Sequence, residues 1–126
     1  MTSAETLAFA EHFVMSIQRG DTDAVRACYA PHAKIWHNTD GLEQTLEENE
    51  TTLTGFIERI PKRQYANRRV HTFPGGFVQQ HTLKGTKKDG KEVALDAVII
   101  CKVENGKVTR LDEYFDSAAV ARFRQP

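Results

Sequence analysis

The stretch NGKVTRLDEYFD, residues 105–116, decides the fold and supplies the first candidate for chemistry. Its opening pair Asn105-Gly106 is a strong hairpin signal, and residues 107–116 predict an extended strand. Because side chains alternate between the two faces of a strand, Leu111, Glu113 and Phe115 share one face. Burying a carboxylate between two apolar side chains costs several kcal/mol unless the carboxylate is paired. Glu113 is therefore the leading candidate for a functional acid or base, and a buried structural ion pair is the rival interpretation.

Further strands precede this one and predict an antiparallel meander. Residues 93–103 are apolar at nearly every position, which is typical of a central strand that is covered on both faces. Residues 63–73 form a plausible earlier strand, and turn residues at 74–76 and 87–90 separate the strands. Between these turns, residues 77–84 alternate, and one side of that strand carries Phe77, Gln79, His81 and Leu83.

The N-terminal half has helical periodicity instead. The capping-box spacing of Thr2 and Glu5 predicts a first helix, and Gly20 predicts its end. Asp21 predicts the cap of a short second helix that Pro31 closes. These two helices would come before any strand of the meander.

A third helix is predicted after a short connecting segment. The capping-box spacing of Asp40 and Glu43 indicates its start, and Pro61 indicates its end. A short tail helix is predicted at residues 117–123. Helices followed by an antiparallel meander predict an α+β fold, in a single domain that covers residues 1–126.

The composition excludes several function classes. The 126 residues carry 17 Lys plus Arg against 17 Asp plus Glu, so no basic excess is available to hold nucleic acid. No apolar window of about 18 residues could span a membrane, and the first residues lack the basic start of a secretory signal. Cys28 and Cys101 lack metal-ligand spacing and predict two free thiols in a reducing cytoplasm. Neither a dinucleotide fingerprint nor a phosphate loop is present, so we predict no metal and no cofactor.

The order of helices and strands, together with four short stretches, resembles the nuclear transport factor two-like superfamily. The stretches are Gly20-Asp21 with Ala24, Tyr29-Ala30, residues 35–38 (IWHN) and residues 105–116. This superfamily contains ketosteroid isomerases, limonene epoxide hydrolases and SnoaL-like polyketide cyclases. The resemblance covers essentially the whole chain and implies a cystatin-like cone, in which a curved antiparallel sheet wraps around the N-terminal helices. Because this fold hosts enzymes, binding modules and assembly domains, it does not by itself determine the chemistry.

Only part of the catalytic site of the superfamily's isomerases has an equivalent in this sequence. Their two oxyanion donors fall at Phe13 and Ile99, which have no hydrogen to donate. Their general base falls at His37. The resemblance therefore disfavours isomerisation of the steroid type.

The epoxide hydrolases and the cyclases both place a carboxylate in the last strand, where this chain has Glu113. The arginine and the first aspartate of the hydrolases fall at Gln79 and His81. Their tyrosine and asparagine fall at Trp36 and Asn38. The resemblance thus implies a site that is partly retained and chemically changed.

The faces of the strands indicate partners for Glu113. If the central strand separates the strands of His81 and Glu113, their backbones lie about 10 Å apart, from two spacings of ~4.8 Å. Their side chains can then meet on one water or substrate atom. The segment around residue 36 leaves two alternatives, since either residues 35 and 37 point inward or residues 36 and 38 do. The candidate catalytic residues are Glu113, His81, His37 and Asn38.

The sequence predicts a small-molecule enzyme of isomerase, hydrolase or cyclase type that performs acid–base chemistry on a small hydrophobic substrate in an apolar pocket. The alternative is a non-catalytic ligand-binding or dimerisation module of the same fold. Because the helices can cover only one face of the central strand, we expect a second copy of the chain on the outer face, as a homodimer. The predicted substrate-binding residues are Phe13, Ile17, Trp36, Leu53, Phe56, Gln79, Leu95, Ile99, Leu111 and Phe115.

Overall fold

The structure, a computed structural model, describes residues 1–125 and begins with the two predicted helices. α1 is Ser3–Arg19 and α2 is Thr22–Ala27. Thr2 and Glu5 form the predicted capping box, because the Glu5 N–H donates to Thr2 Oγ1 at 3.1 Å and the Thr2 N–H donates to Glu5 Oε1 at 2.8 Å. Gly20 ends α1 with a φ of 72°, a left-handed conformation that glycine adopts without strain.

The rest of the chain, up to residue 125, adds six strands and two helices. They are β1 Tyr29–His37, β2 Glu43–Gln44, α3 Leu46–Arg59, β3 Lys62–Phe73, β4 Gly76–Thr86, β5 Glu92–Glu104, β6 Lys107–Phe115 and α4 Ser117–Arg124. The turn between β5 and β6 uses Asn105 and Gly106 with φ values of 51° and 73°. This is the tight hairpin that the Asn-Gly pair predicts.

Within the described residues the strands form one curved, unclosed sheet in the order β2-β1-β6-β5-β4-β3. The strands β3 to β6 make the predicted antiparallel meander, and β5 lies between β4 and β6. On its other side β6 pairs with β1 in parallel, which the sequence pattern does not predict. α1 packs on β3 and β4, and α3 packs on β1. The predicted α+β fold is confirmed.

The predicted start of α3 is wrong, because Thr45 and Glu48 form its capping box and not Asp40 and Glu43. The Glu48 N–H donates to Thr45 Oγ1 at 3.2 Å, and the Thr45 N–H donates to Glu48 Oε1 at 2.9 Å. Asp40 turns the chain instead, where its carboxylate accepts from the Leu42 N–H at 3.0 Å. Glu43 pairs with β1. Two nearby pairs have the same capping spacing, and the sheet pairing decides between them.

The prediction that Pro31 closes α2 is also wrong, since β1 already begins at Tyr29 and runs through the proline. The pairing of β1 with β6 shifts register between Tyr29 and Lys34. Proline has no N–H to give to a ladder, and this irregularity leaves it outside the regular pairing. The strand that results is long enough to carry His37 to the position opposite Glu113.

Buried side chains form two clusters on the inner side of the sheet. One cluster lies beneath α1 and includes the fully buried Phe13 and Phe77. The other lies under α4 and includes Ile60 and Phe123. Gly85 permits this second contact, because a Cβ at that position would lie 2.5 Å from Ile60 and 3.2 Å from Phe123. The candidate site lies between these two clusters.

Candidate active site

A cavity of about 280 Å³ opens between the two core clusters. Ligand pockets commonly range from about 300 to 1,000 Å³, so this volume limits the occupant to a small molecule. Residues of both clusters contribute to the walls. The apolar lining consists of Ile17, Val25, Ile35, Leu53, Phe56, Leu83, Leu95, Leu111, Phe115, Val120 and Phe123.

His37 and Glu113 form a pair in the wall of this cavity. They lie opposite each other on the parallel strands β1 and β6, with 3.4 Å between His37 Nε2 and Glu113 Oε1. Both side chains are mostly buried, since 17% of His37 and 15% of Glu113 is exposed. The Phe115 ring stacks on the imidazole, with 5.9 Å between centroids and 14° between planes. Of the two alternatives for this segment, residues 35 and 37 are therefore the ones that face inward.

The surroundings of His37 favour its charged form. Burial by itself would lower the pKa of His37, but contact with the Glu113 carboxylate and the negative charge of Asp40 outweigh burial. The positive charge of Arg124 opposes this in part, and the pKa of His37 still lies above the ordinary histidine value. A raised pKa makes the imidazole a stronger base than free histidine.

Two tyrosines also line the cavity, Tyr29 from β1 and Tyr65 from β3. Burial raises the pKa of both hydroxyls, and the negative charge of Glu113 adds to each shift. Both hydroxyls therefore stay protonated at physiological pH and remain hydrogen-bond donors. Apart from its pairing in the sheet, Tyr65 makes one hydrogen bond within residues 1–125. Its backbone N–H donates to Gln18 Oε1 at 2.8 Å. Its hydroxyl is free to donate to a ligand.

His81 and Gln79 are buried, but they bond to each other and not to Glu113. Gln79 Nε2 donates to His81 Nδ1 at 2.9 Å, and the Tyr65 ring packs against the imidazole at 4.9 Å between centroids. β5 lies between their strand and β6, as predicted. Contrary to the prediction, the His81 side chain does not meet Glu113, because His81 bonds Gln79 and Glu113 pairs with His37. Burial lowers the pKa of His81, so the ring is neutral and carries its proton on Nε2. His81 Nε2 and Gln79 Oε1 are both buried without a partner in residues 1–125.

Asn38 and Trp36 lie outside the cavity, which corrects their assignment to the site. The Asn38 side chain bonds the backbone N–H and C=O of Phe115, at 2.8 and 3.0 Å, and so extends the pairing of β1 with β6. The Trp36 ring packs on Tyr114 on the outer face of the sheet, with 5.2 Å between centroids. Among the other predicted lining residues, Phe13, Gln79 and Ile99 are buried in the core, while Ile17, Leu53, Phe56, Leu95, Leu111 and Phe115 line the cavity.

The cavity has a polar side that the sequence analysis missed. Asn49 Nδ2 donates to Gln44 Oε1 at 3.1 Å, and Gln44 Nε2 donates to Thr52 Oγ1 at 2.9 Å. All three residues line the cavity, and so do Arg59 and Arg124. Asn49 could have indicated this polar side from the sequence, because it lies on the inner face of α3, which is otherwise apolar. The arginines gave no such signal, since basic residues in the last turn of a helix are common.

Residues 1–125 contain no group of three or more His, Cys, Asp and Glu side chains placed to hold a metal ion. None of the helices in that range combines the length and apolarity that crossing a membrane requires. Cys28 and Cys101 are both buried and free. The cytoplasmic location inferred from these thiols stays a prediction.

Residues 10–111 match the family model of the SnoaL-like domain. The chain belongs to the SnoaL-like domain family. This confirms the superfamily that the sequence resembles. The family match ends before Glu113, so it gives no independent support to that residue. The sequence of this SnoaL-like domain has no match among curated proteins.

Solved structures share the fold of this SnoaL-like domain at low sequence identity. AclR from Streptomyces galilaeus is 15% identical with a TM-score of 0.86, over 97% of this chain and 82% of AclR. An NTF2-like protein from Burkholderia pseudomallei is 19% identical with a TM-score of 0.84, over 100% of both chains. A limonene-epoxide-hydrolase-like epoxide hydrolase from Mycobacterium tuberculosis is 17% identical with a TM-score of 0.78, over 96% of this chain and 90% of the hydrolase. At these identities the likeness shows the fold alone.

Proposed function

We propose that this SnoaL-like domain is an enzyme that moves a proton next to the carbonyl group of a small, mainly hydrophobic molecule. The observation that carries the proposal is the His37–Glu113 pair in the cavity wall, with 3.4 Å between Nε2 and Oε1. A histidine whose ring is held and whose charge is favoured by a carboxylate is suited to act as a general base near neutral pH. Isomerisation and aldol-type cyclisation both begin with such a proton transfer.

The His37–Glu113 pair acts as the base, with a neutral imidazole beside a negatively charged carboxylate. The imidazole takes a proton from the carbon next to the carbonyl group. The electron pair of the broken C–H bond forms the double bond of an enolate, and the negative charge moves to the carbonyl oxygen. Where the substrate has a C=C bond next to that carbon, the enolate is a dienolate, and return of the proton to its far carbon shifts the C=C bond and completes an isomerisation. Attack of the enolate carbon on a second carbonyl group of the same molecule instead forms a ring and an alkoxide, and the alkoxide takes the proton back from the imidazolium to complete a cyclisation.

The Tyr65 hydroxyl supports the same step from the opposite wall as a hydrogen-bond donor to the enolate oxygen. Its raised pKa keeps it protonated, and its hydroxyl has no competing hydrogen bond within residues 1–125. A positioned donor of this kind contributes about 10²- to 10³-fold to a rate. Tyr65→Phe should therefore slow the reaction by about that factor while leaving the pH dependence set by His37 unchanged.

Exchange of hydrogen for deuterium in simple ketones tests this function. Cyclohexanone and 1-indanone are incubated with the protein in D₂O, and exchange next to the carbonyl group is followed by NMR. We expect exchange above the protein-free rate, and exchange about 100-fold slower with Glu113→Gln or His37→Asn. Asp112→Asn is the matched control, because Asp112 faces the outer side and bonds Arg110 Nε at 3.0 Å. Equal rates for the wild type and Glu113→Gln would contradict the role of the pair.

The alternative function, a binding module without catalysis, makes the opposite prediction for the same ketones. They would bind in the cavity, as saturation-transfer NMR can show, but none would exchange faster than in the absence of protein. Binding would then be equal for the wild type and Glu113→Gln, since the substitution changes almost no volume. That result would replace the catalytic proposal with the binding one.

We also propose that two copies of the chain associate through the outer face of the sheet. Tyr114 is 45% exposed on this face, and its ring extends the apolar surface of Trp36. Val98 and Ile100 lie on the same face, since they pair with Tyr114 and Asp112 in the sheet. Sedimentation equilibrium should give a dimer mass for the wild type and a monomer mass for Tyr114→Lys. A monomeric wild type at micromolar concentration would contradict the proposal.

A further inference from the structure

Two guanidinium groups line the cavity, and the proposed proton transfer uses neither of them. Arg59 lies in the last turn of α3, and Arg124 lies in the last turn of α4. Phe56, one turn before Arg59, packs in the same core cluster as Phe123, the neighbour of Arg124. Both arginines therefore line the same cavity from the ends of two different helices, and both are exposed to solvent.

No partner within residues 1–125 neutralises these two charges. The arginine ion pairs in that range belong to Arg26, Arg68 and Arg110. The other charged or titratable side chains of the lining, apart from the tyrosines, are Asp40, Glu113 and His37. Glu113 is paired with His37, and the Asp40 carboxylate accepts a hydrogen bond from the Leu42 N–H at 3.0 Å.

We propose that Arg59 and Arg124 bind a carboxylate group of the substrate, so that the substrate is a hydrophobic keto acid. The planar guanidinium group matches a carboxylate with two parallel hydrogen bonds, and it needs no further partner in the protein. The apolar walls would hold the body of such a molecule, with its carboxylate at the two arginines and its reacting carbon near His37. The keto group of this substrate rests on the proposed function, whereas the carboxylate site concerns binding and is tested without turnover.

Binding of a carboxylate at these two arginines should also change the pKa of His37 in the catalytic pair. Burial and the positive charge of Arg124 lower the pKa of His37, whereas contact with Glu113 and the negative charge of Asp40 raise it. A carboxylate next to Arg124 offsets that charge, so its binding raises the pKa of His37. A carboxylate bound elsewhere on the surface would be screened by solvent and would leave the titration of His37 unchanged.

Two probes of nearly equal shape, 2-naphthoate and 2-naphthamide, test the site by calorimetry. We expect the wild type to bind the charged probe about tenfold more tightly, which corresponds to about 1.4 kcal/mol. The Arg59→Gln/Arg124→Gln double variant should lose this preference and keep its affinity for 2-naphthamide. The control is Arg122→Gln, which changes an exposed arginine of α4 outside the lining and should keep the preference. NMR titration of His37 should show a rise of its pKa with 2-naphthoate in the wild type and not in the double variant.

The proposal is overturned if the wild type binds both probes equally, binds neither probe, or if the preference survives in the double variant. Failure of the proposed function looks different. Glu113→Gln should keep the preference for 2-naphthoate whether or not it loses proton exchange. If exchange depends on Glu113 but the preference is missing, then the carboxylate site alone is wrong. If the preference is present but exchange is missing, then the carboxylate site stands in a binding module.

Discussion

Replacing Glu113 by glutamine removes one charge from the cavity wall and changes almost no volume. The His37–Glu113 pair is mostly buried, with 17% and 15% of the two side chains exposed. An exposed ion pair contributes about 0–1 kcal/mol to stability, and breaking a fully buried pair costs about 3–5 kcal/mol. This pair lies between those limits. We therefore expect Glu113→Gln to lower the free energy of unfolding by about 2 kcal/mol when His37 is protonated.

The pH dependence of this loss follows from the raised pKa of His37. A group whose pKa is higher in the folded protein stabilises the fold below its unfolded value, about 6.5 for histidine. That contribution disappears as the pH rises through the folded-state pKa. The loss in Glu113→Gln should be complete at about pH 5.5 and small at about pH 8.5, where a neutral imidazole bonds either side chain.

Urea unfolding at the two pH values measures the effect. For a domain of this size, about 2 kcal/mol corresponds to a shift of about 1 M in the unfolding midpoint. His37→Asn and the double variant complete a double-mutant cycle, which separates the coupling of the pair from the effect of each substitution alone. Asp112→Asn on the outer face is the control. A coupling energy that is equal at both pH values, or larger at the higher one, would refute the charged pair.

Two further changes test the packing around the site. Gly85→Ala puts a Cβ 2.5 Å from Ile60 and 3.2 Å from Phe123, so urea unfolding should show a loss of about 1–3 kcal/mol; no loss would show that the Ile60 and Phe123 side chains can move aside. Gln79→Leu leaves His81 Nδ1 without its donor and should cost about 1–3 kcal/mol. Gln79→Leu combined with His81→Leu should recover most of that stability, since the unpartnered buried atoms are gone, and an additive loss would contradict this reading.

The faces of the meander strands were predictable from the sequence, because long antiparallel strands alternate strictly. Leu111, Glu113 and Phe115 line the cavity together, as their spacing requires. Gln79 and His81 share the buried face of β4 for the same reason. Alternation fixes the face of a side chain but not what it bonds there, and His81 is bonded along its own strand rather than across the sheet.

The position of β1 could not be derived in the same way. It pairs in parallel with β6 and brings together residues as distant in sequence as His37 and Glu113, so no local pattern indicates the contact. The register shift between Tyr29 and Lys34 also breaks the alternation that would orient the strand. Side-chain alternation within the meander indicates His81 as the partner of Glu113, whereas the actual partner, His37, lies on the strand on the other side of β6.

The curvature of the sheet brings the proposed donor and base to one cavity. Tyr65 lies on β3 and His37 on β1, and the sheet order separates these strands by four spacings, about 19 Å in a flat sheet. Both side chains line one cavity of about 280 Å³, and the charge of Glu113, which pairs with His37, acts on the Tyr65 hydroxyl. The register shift between Ala66 and Arg69, where Asn67 has a φ of 55°, bends β3 directly after Tyr65. A flat sheet with the same side chains would hold His37 and Tyr65 too far apart to act on one molecule, so this bulge belongs to the site as much as the residues that line it.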